Sequence, residues 1–193
     1  MLQAGLEFVV HTADVDESVR VGEGVAAYVE RLALHKALVV WEARSGGDEV
    51  PDGSLLVLGA DTSVVCEDAG GEVAGALDGQ RGGDLILGKP LDGADAARML
   101  RMLSGRSHTV LTGVAVVGAR RTLSAVERTV VTFGEISEAE IAKYVASREP
   151  LDKAGAYGIQ GYAARWIPRV EGCYFNVMGL PIARVVKMLA EAG

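Results

Sequence analysis

Leu55-Leu-Val-Leu-Gly-Ala-Asp-Thr-Ser-Val-Val65 is the stretch on which the reading of the chain turns. An unbroken apolar run of this kind is a strand buried on both faces. The run stops at Asp61, an acid flanked by small residues. One reading of such a carboxylate is a turn or helix cap. The other is a metal ligand or general base at the mouth of a cleft, because open α/β sheets place ligands beyond the carboxyl ends of their strands. Apolar residues resume over 63–66. The chain therefore continues as strand, and Asp61 caps no helix.

Upstream, residues 45–54 form a loop rich in Gly, Pro and Asp. Before it, residues 23–43 carry Val25, Tyr28, Val29, Leu32 and Ala33 on one helical face. Lys36 falls on that face too, where a lysine either snorkels to solvent or reaches into a site. Residues 12–17 are a polar loop with Asp14, Asp16 and Glu17. Such acids are either simply solvated or hold a hard cation, since Mg²⁺ is bound by one or two carboxylates together with substrate phosphates. Residues 6–10 predict a strand, following a Leu2-Gln-Ala-Gly5 segment that looks like the closing turn of a helix.

Downstream, residues 67–84 are glycine-rich and predict an extended hairpin or surface excursion. They contain no Gly-x-x-x-x-Gly-Lys-Ser/Thr phosphate loop. Residues 84–90 return as a short strand ending at Gly88-Lys89-Pro90. That turn is either ordinary surface or a rigid mount offering Lys89 to a phosphate. Asp92 caps a helix over 93–103, and strands over 107–117 and 121–133 pair, the second alternating as a half-exposed antiparallel strand does. Ser137-Glu-Ala-Glu140 is a capping box that opens a helix running to 146. Residues 149–161 hold too much Gly and Pro for regular structure, and they supply Asp152, Lys153 and Gln160. A long ordered loop of this mixture points to function. Residues 162–170 predict another strand, and Pro181 opens a last helix that ends near Ala192.

Composition narrows the function. With 193 residues, 49% of them apolar, the chain can form one large domain or two small lobes sharing a cleft. A net charge of -7 argues against non-specific nucleic-acid binding, which needs basic patches. It leaves room for a small phosphorylated ligand where a few cations converge. Cys66 and Cys173 form no Cys-x-x-Cys pair, and His11, His35 and His108 have no paired spacing, so neither a disulfide framework nor a zinc site is expected. No apolar run approaches the ~18 residues of a membrane span, and a cytoplasmic protein is the natural expectation.

Several of these motifs coincide with those of one family. Gly59-Ala-Asp-Thr62, Gly88-Lys-Pro90, Ser104-Gly-Arg-Ser-His-Thr-Val-Leu-Thr-Gly113, the whole of 149–161, and Val177-Met-Gly-Leu-Pro181 occur in its order and span nearly the whole chain. The chain resembles the Maf-like nucleoside triphosphate pyrophosphatases, in the branch acting on dTTP and UTP. The resemblance implies one α/β domain over 1–193, with a mixed twisted sheet, flanking helices and two lobes around a central cleft. It implies hydrolysis of the α–β phosphoanhydride of a nucleoside triphosphate with a divalent metal, Mg²⁺ or Mn²⁺. Asp61 would be the catalytic base, with Glu17 and Asp61 toward the metal. Lys36, Lys89, Arg106 and Lys153 would face substrate, and Thr62 and Gln160 would set the choice of base. A homodimer is suggested by the same likeness. The family opens with a strand and a Ser-x-Ser-Pro-Arg-Arg phosphate-binding loop that has no counterpart here, so the expectation is a late start site or a truncated chain. The competing expectation is a catalytically weak or inactive nucleotide-binding regulator of cell division.

Overall fold

The computed structural model describes residues 1, 4–45, 55–67 and 84–193, the side chains of Glu67 and Asp84 excepted. The expected loop over 45–54 and surface excursion over 67–84 lie almost wholly outside these residues. The central strand β1 (Leu56–Glu67) runs unbroken through Asp61, so the acid sits in mid-strand rather than at a strand end. It pairs along its length with β3 (Ser107–Gly118), placing Asp61 opposite Gly113 and Thr62 opposite Thr112. Strand β2 (Asp84–Leu87) pairs with the far end of β1, β4 (Thr122–Thr132) with β3, and β5 (Arg169–Glu171) with β4. The five-stranded sheet has the order β2-β1-β3-β4-β5, and every pairing described is antiparallel.

One face of the sheet carries α1 (Val25–Arg44), whose buried residues include Val25, Tyr28, Val29, Leu32, Ala33 and Ala37. The expected apolar stripe is therefore present. The helix backbone lies directly on the strands because the strands have no side chain beneath it. A Cβ at Gly113 would stand 2.1 Å from the Val29 carbonyl oxygen, and one at Gly59 would stand 2.1 Å from that of Ala33.

The other face is covered by several shorter elements. Helix α5 (Ile182–Ala192) buries Val185, Met188 and Ala192 against Val114 and Val116. Helix α4 (Tyr174–Val177) is held by Asn176, which is fully buried and donates from Nδ2 to the Val110 carbonyl at 3.1 Å and to Thr129 Oγ1 at 3.0 Å. Helices α2 (Gly93–Leu103) and α3 (Glu138–Ala146) pack Met99, Leu100, Leu103, Ile141 and Tyr144 into one core with Val110 and Phe133. Both begin as the sequence predicts, with Asp92 capping Asp95 N–H and Ser137 capping Glu140 N–H.

Two expectations are corrected. Residues 162–166 form a 3₁₀ turn, Tyr162–Trp166, and only Arg169–Glu171 is strand. Tyr162 stacks on Tyr144 and Trp166 meets the same ring edge-on, a grouping that a curled backbone allows and an alternating strand does not. Residues 6–10 form no strand. Their side chains have β-forming character, yet Phe8, Val9 and Val10 are exposed, and no described strand offers these residues a ladder of hydrogen bonds.

The approach of α1 gives a direct test. Gly113→Ala places a methyl group inside the α1 backbone, and the helix must lift from the sheet. Urea unfolding is expected to show a loss of about 3 kcal/mol or more. Ala115→Gly, a residue along the same strand face, removes only a methyl group and is expected to cost far less.

Candidate active site

The close approach of α1 carries Lys36 to the edge of β1. Its ammonium is 2.8 Å from Asp61 Oδ1 and 2.6 Å from Glu17 Oε1, so one cation joins two carboxylates from separate parts of the chain. Glu17 is not left to a free loop. The Tyr28 hydroxyl donates to the Glu17 carbonyl at 2.9 Å, and Arg31 donates to the Ser18 carbonyl at 2.9 Å. Arg31 is itself fixed by a two-pronged bond to Glu23 at 2.6 and 2.7 Å. The acidic loop is thus clamped by α1, the element that also supplies Lys36.

Burial and charge act in opposite directions on this group. Burial works against the Lys36 charge, but the hydrogen bonds to Asp61 and Glu17 outweigh it and hold the ammonium above its ordinary pKa. For Asp61 burial is the larger effect, and the Lys36 hydrogen bond offsets only part of it, so the carboxyl lies above the usual aspartate value. A carboxylate raised in this way is a stronger base than a free aspartate.

Asp61 and Thr62 line a cavity of about 410 Å³ together with Lys89, Lys153 and Gln160 and apolar residues including Val110 and Tyr157. That volume is in the range of small-molecule sites. Lys89 is exposed on its turn, and Lys153 donates to the Glu149 carbonyl at 2.8 Å and to Asp152 at 2.6 Å. The two segments are tied together by a hydrogen bond from Gly155 N–H to the Gly88 carbonyl at 3.0 Å. Gly155 has φ +68°, and a Cβ there would stand 2.9 Å from the Val64 side chain, so the loop needs glycine at this point. Ala156 follows with φ 58° while fully buried, a strained conformation for a residue with a Cβ.

The sequence-derived residues are therefore distributed unevenly. Asp61, Thr62, Lys89, Lys153 and Gln160 share the cavity, while Glu17 and Lys36 stand beside it through Asp61. Arg106 is exposed ahead of β3, and its backbone serves only to join Leu103 to Phe133. The structure does not bring its side chain into the cavity lining. Sequence reasoning missed Tyr28, Thr112 and Asn176. A hydroxyl in an otherwise apolar strand and an amide between apolar neighbours were the available signals.

The two carboxylates also define what metal could be held. Among the described residues no group of three or more His, Cys, Asp or Glu side chains is arranged for a metal ion. Glu17 and Asp61 already converge on one positive centre. A pair of carboxylates is the protein share that Mg²⁺ takes when substrate phosphates complete its shell, so the residues present fit that ion.

A cavity of this size with an apolar floor, two lysines in its lining and a lysine-paired carboxylate at its edge has the character of a small-molecule site. Residues 1–192 match the Maf-like protein family, and the chain belongs to it. It is 49% identical over 189 residues to a dTTP/UTP pyrophosphatase of Hahella chejuensis (strain KCTC 2396), covering 98% of this chain and 84% of that one. It is 45% identical over 191 residues to a dTTP/UTP pyrophosphatase of Koribacter versatilis (strain Ellin345), covering 99% and 86%. A dTTP/UTP pyrophosphatase of Moorella thermoacetica (strain ATCC 39073 / JCM 9320) is 46% identical over 195 residues, covering 100% and 88%.

The cavity floor carries a pH-dependent liability. Tyr157 bonds through its hydroxyl to His108 Nε2 at 2.7 Å, and both residues are buried. Burial lowers the His108 pKa from 6.5 to about 4, so the folded protein keeps the ring neutral while the unfolded chain takes up a proton below about pH 6.5. The resulting stability is intact above pH 6.5 and is lost as the pH falls toward 4, by about 3 kcal/mol in all. Urea midpoints measured between pH 7 and pH 4 are expected to fall less steeply for His108→Gln than for the parent protein.

Proposed function

We propose that this protein is a nucleoside triphosphate pyrophosphatase that hydrolyses dTTP and UTP to the nucleoside monophosphate and pyrophosphate. The observation that carries this reading is the Glu17–Lys36–Asp61 cluster at the edge of a cavity whose lining also includes Lys89 and Lys153. The names of the relatives and the family membership support the same conclusion.

In this reading the apolar floor receives the base and ribose, and the phosphates lie toward Lys89 and Lys153. Asp61 accepts a proton from a water molecule whose oxygen attacks the α-phosphorus. The bond between that phosphorus and the oxygen bridging to the β-phosphorus breaks, and pyrophosphate leaves. Lys36 offsets part of the burial penalty on the Asp61 charge and aims the carboxylate. Glu17 and Asp61 would hold a divalent cation, Mg²⁺ or Mn²⁺, which when bound neutralises phosphate charge. Lys89, on the turn between Gly88 and Pro90, adds a positive charge from a backbone position that the proline restrains. A cytoplasmic setting accords with a substrate drawn from the nucleotide pool, and no helix among the described residues is long and apolar enough to cross a membrane.

Pyrophosphate release from a panel of nucleoside triphosphates with Mg²⁺ or Mn²⁺ tests the reading. Turnover is expected with dTTP and UTP, and Asp61→Asn is expected to lower kcat by about 10³-fold or more, the scale of removing a general base. Nucleotide binding without pyrophosphate release in the parent protein would favour a regulatory role instead. Lys89→Ala is expected to act mainly on KM, raising it about tenfold through loss of one charge-assisted contact.

A further inference from the structure

Two threonines stand face to face at the edge of the cavity. Thr62 on β1 pairs with Thr112 on β3, and their Oγ1 atoms are 2.9 Å apart. Thr112 is fully buried and also lies 3.1 Å from the backbone carbonyl oxygen of Asn176. A hydroxyl has one proton, and a carbonyl can only accept. The Thr112 proton therefore goes to Asn176, and the proton between the two threonines is that of Thr62. The other carbonyl near Thr62, that of Gly179, is 3.5 Å away, too far to compete. The Asn176 carbonyl also accepts the Gly179 N–H at 2.9 Å, and reversing the chain would take the second of its two donors away and send the Thr62 proton toward the Gly179 carbonyl across 3.5 Å. Asn176 cannot turn away, because its side chain is bonded to both Val110 and Thr129.

The consequence is chemical. Thr62 commits its proton inward to Thr112 and offers the cavity lone pairs alone. We propose that Thr112 is a positioning residue that fixes Thr62 as an acceptor, and that this polarity selects bases carrying an N3–H. The proposal rests on the pyrimidine-nucleotide reading of the cavity. Uracil and thymine present a donor at N3, whereas cytosine presents an acceptor there. Gln160 cannot make this distinction alone. Its side chain is exposed and its amide can turn to present either oxygen or nitrogen, which suits the O4 of uracil or the N4 amine of cytosine. The chain Thr62–Thr112–Asn176 is the part of the site whose hydrogen-bond direction is set by the fold. A site built around a substrate donor rejects the analogue lacking it, because its own group is then left unpaired.

The test compares kcat/KM for UTP and CTP in the parent protein, Thr112→Val and Thr112→Ser. Valine has the shape of threonine but no acceptor for the Thr62 proton, which is then free to turn into the cavity and meet cytosine N3. The UTP-to-CTP ratio is expected to fall at least about tenfold in Thr112→Val and to stay near the parent value in Thr112→Ser. A merely structural role for Thr112 would lower both activities together and leave the ratio unchanged, and that result overturns the proposal. A second measurement needs no variant. The parent protein is expected to bind 3-methyl-UTP, which keeps both carbonyls but has no N3–H, no better than CTP. Binding of 3-methyl-UTP equal to that of UTP overturns the proposal as well. Dissociation constants for the α,β-methylene analogues of UTP and CTP give the same ratio without turnover. Absence of pyrophosphate from every triphosphate would thus defeat the pyrophosphatase reading while still deciding the role of Thr112.

Discussion

The contact on which the site depends is the approach of a helix backbone to two strands that lack side chains beneath it. At Gly59 and Gly113 there is no room for even one carbon between α1 and the sheet. Closing that distance buries Val29, Leu32, Ala33 and Ala37 and also sets how far Lys36 reaches. An ammonium bonded at once to Asp61 and Glu17 tolerates little displacement, because charge-assisted hydrogen bonds weaken steeply beyond their short range. The same helix holds the loop of Glu17 through Tyr28 and Arg31. Packing on one side of the molecule therefore fixes three charged groups whose task lies at the sheet edge.

The other side of the cavity is held by backbone geometry. The Gly88–Gly155 hydrogen bond brings Lys89 and the 149–161 loop to one wall, and the positive φ angles at Gly155 and Ala156 turn the loop so that Tyr157 enters the core. Ala156 has no glycine freedom, and its conformation persists because the residue is sealed among its neighbours. Strain held beside a binding wall is consistent with a loop shaped for a ligand rather than for local stability.

The sequence pointed to several residues that the structure gathers at one cavity, and which ones it could point to has a physical cause. Asp61 stands out as an acid within an apolar strand, Lys89 in a Gly-Lys-Pro turn and Gln160 in a glycine-rich loop, while Thr62 was reached through the family resemblance. Tyr28 and Thr112 do not stand out, since an aromatic on an apolar helix face and a threonine in a strand are what packing alone would place there. Their importance lies in a hydroxyl whose partner is 11 residues away for Tyr28 and 50 residues away for Thr112, a relation that only the fold creates. Residues 162–166 misled for a related reason. Their aromatic and apolar character suits a strand, but Tyr162 and Trp166 are gathered by Tyr144, and tertiary stacking overrode local preference. Residues 6–10 show the converse, β-forming side chains without a described strand to pair with.

Charge balance around the cavity completes the argument for how an acidic chain handles an anionic substrate. Glu17, Asp61 and Asp152 stand against Lys36, Lys89 and Lys153, so the site is near neutral before substrate arrives. Lys36 is engaged by two carboxylates and Lys153 by one, whereas Lys89 makes no salt bridge among the described residues and acts on Asp61 and Asp152 only through space. One such lysine cannot balance the several negative charges of a triphosphate. This shortfall gives the proposed divalent cation its physical place, because two ionised carboxylates at one spot gain from a metal and a triphosphate gains from the same metal. Lys36 gives the two carboxylates a common focus, and its hydrogen bond offsets part of the rise that burial imposes on the Asp61 pKa, while Tyr28 and Arg31 hold the loop that carries Glu17.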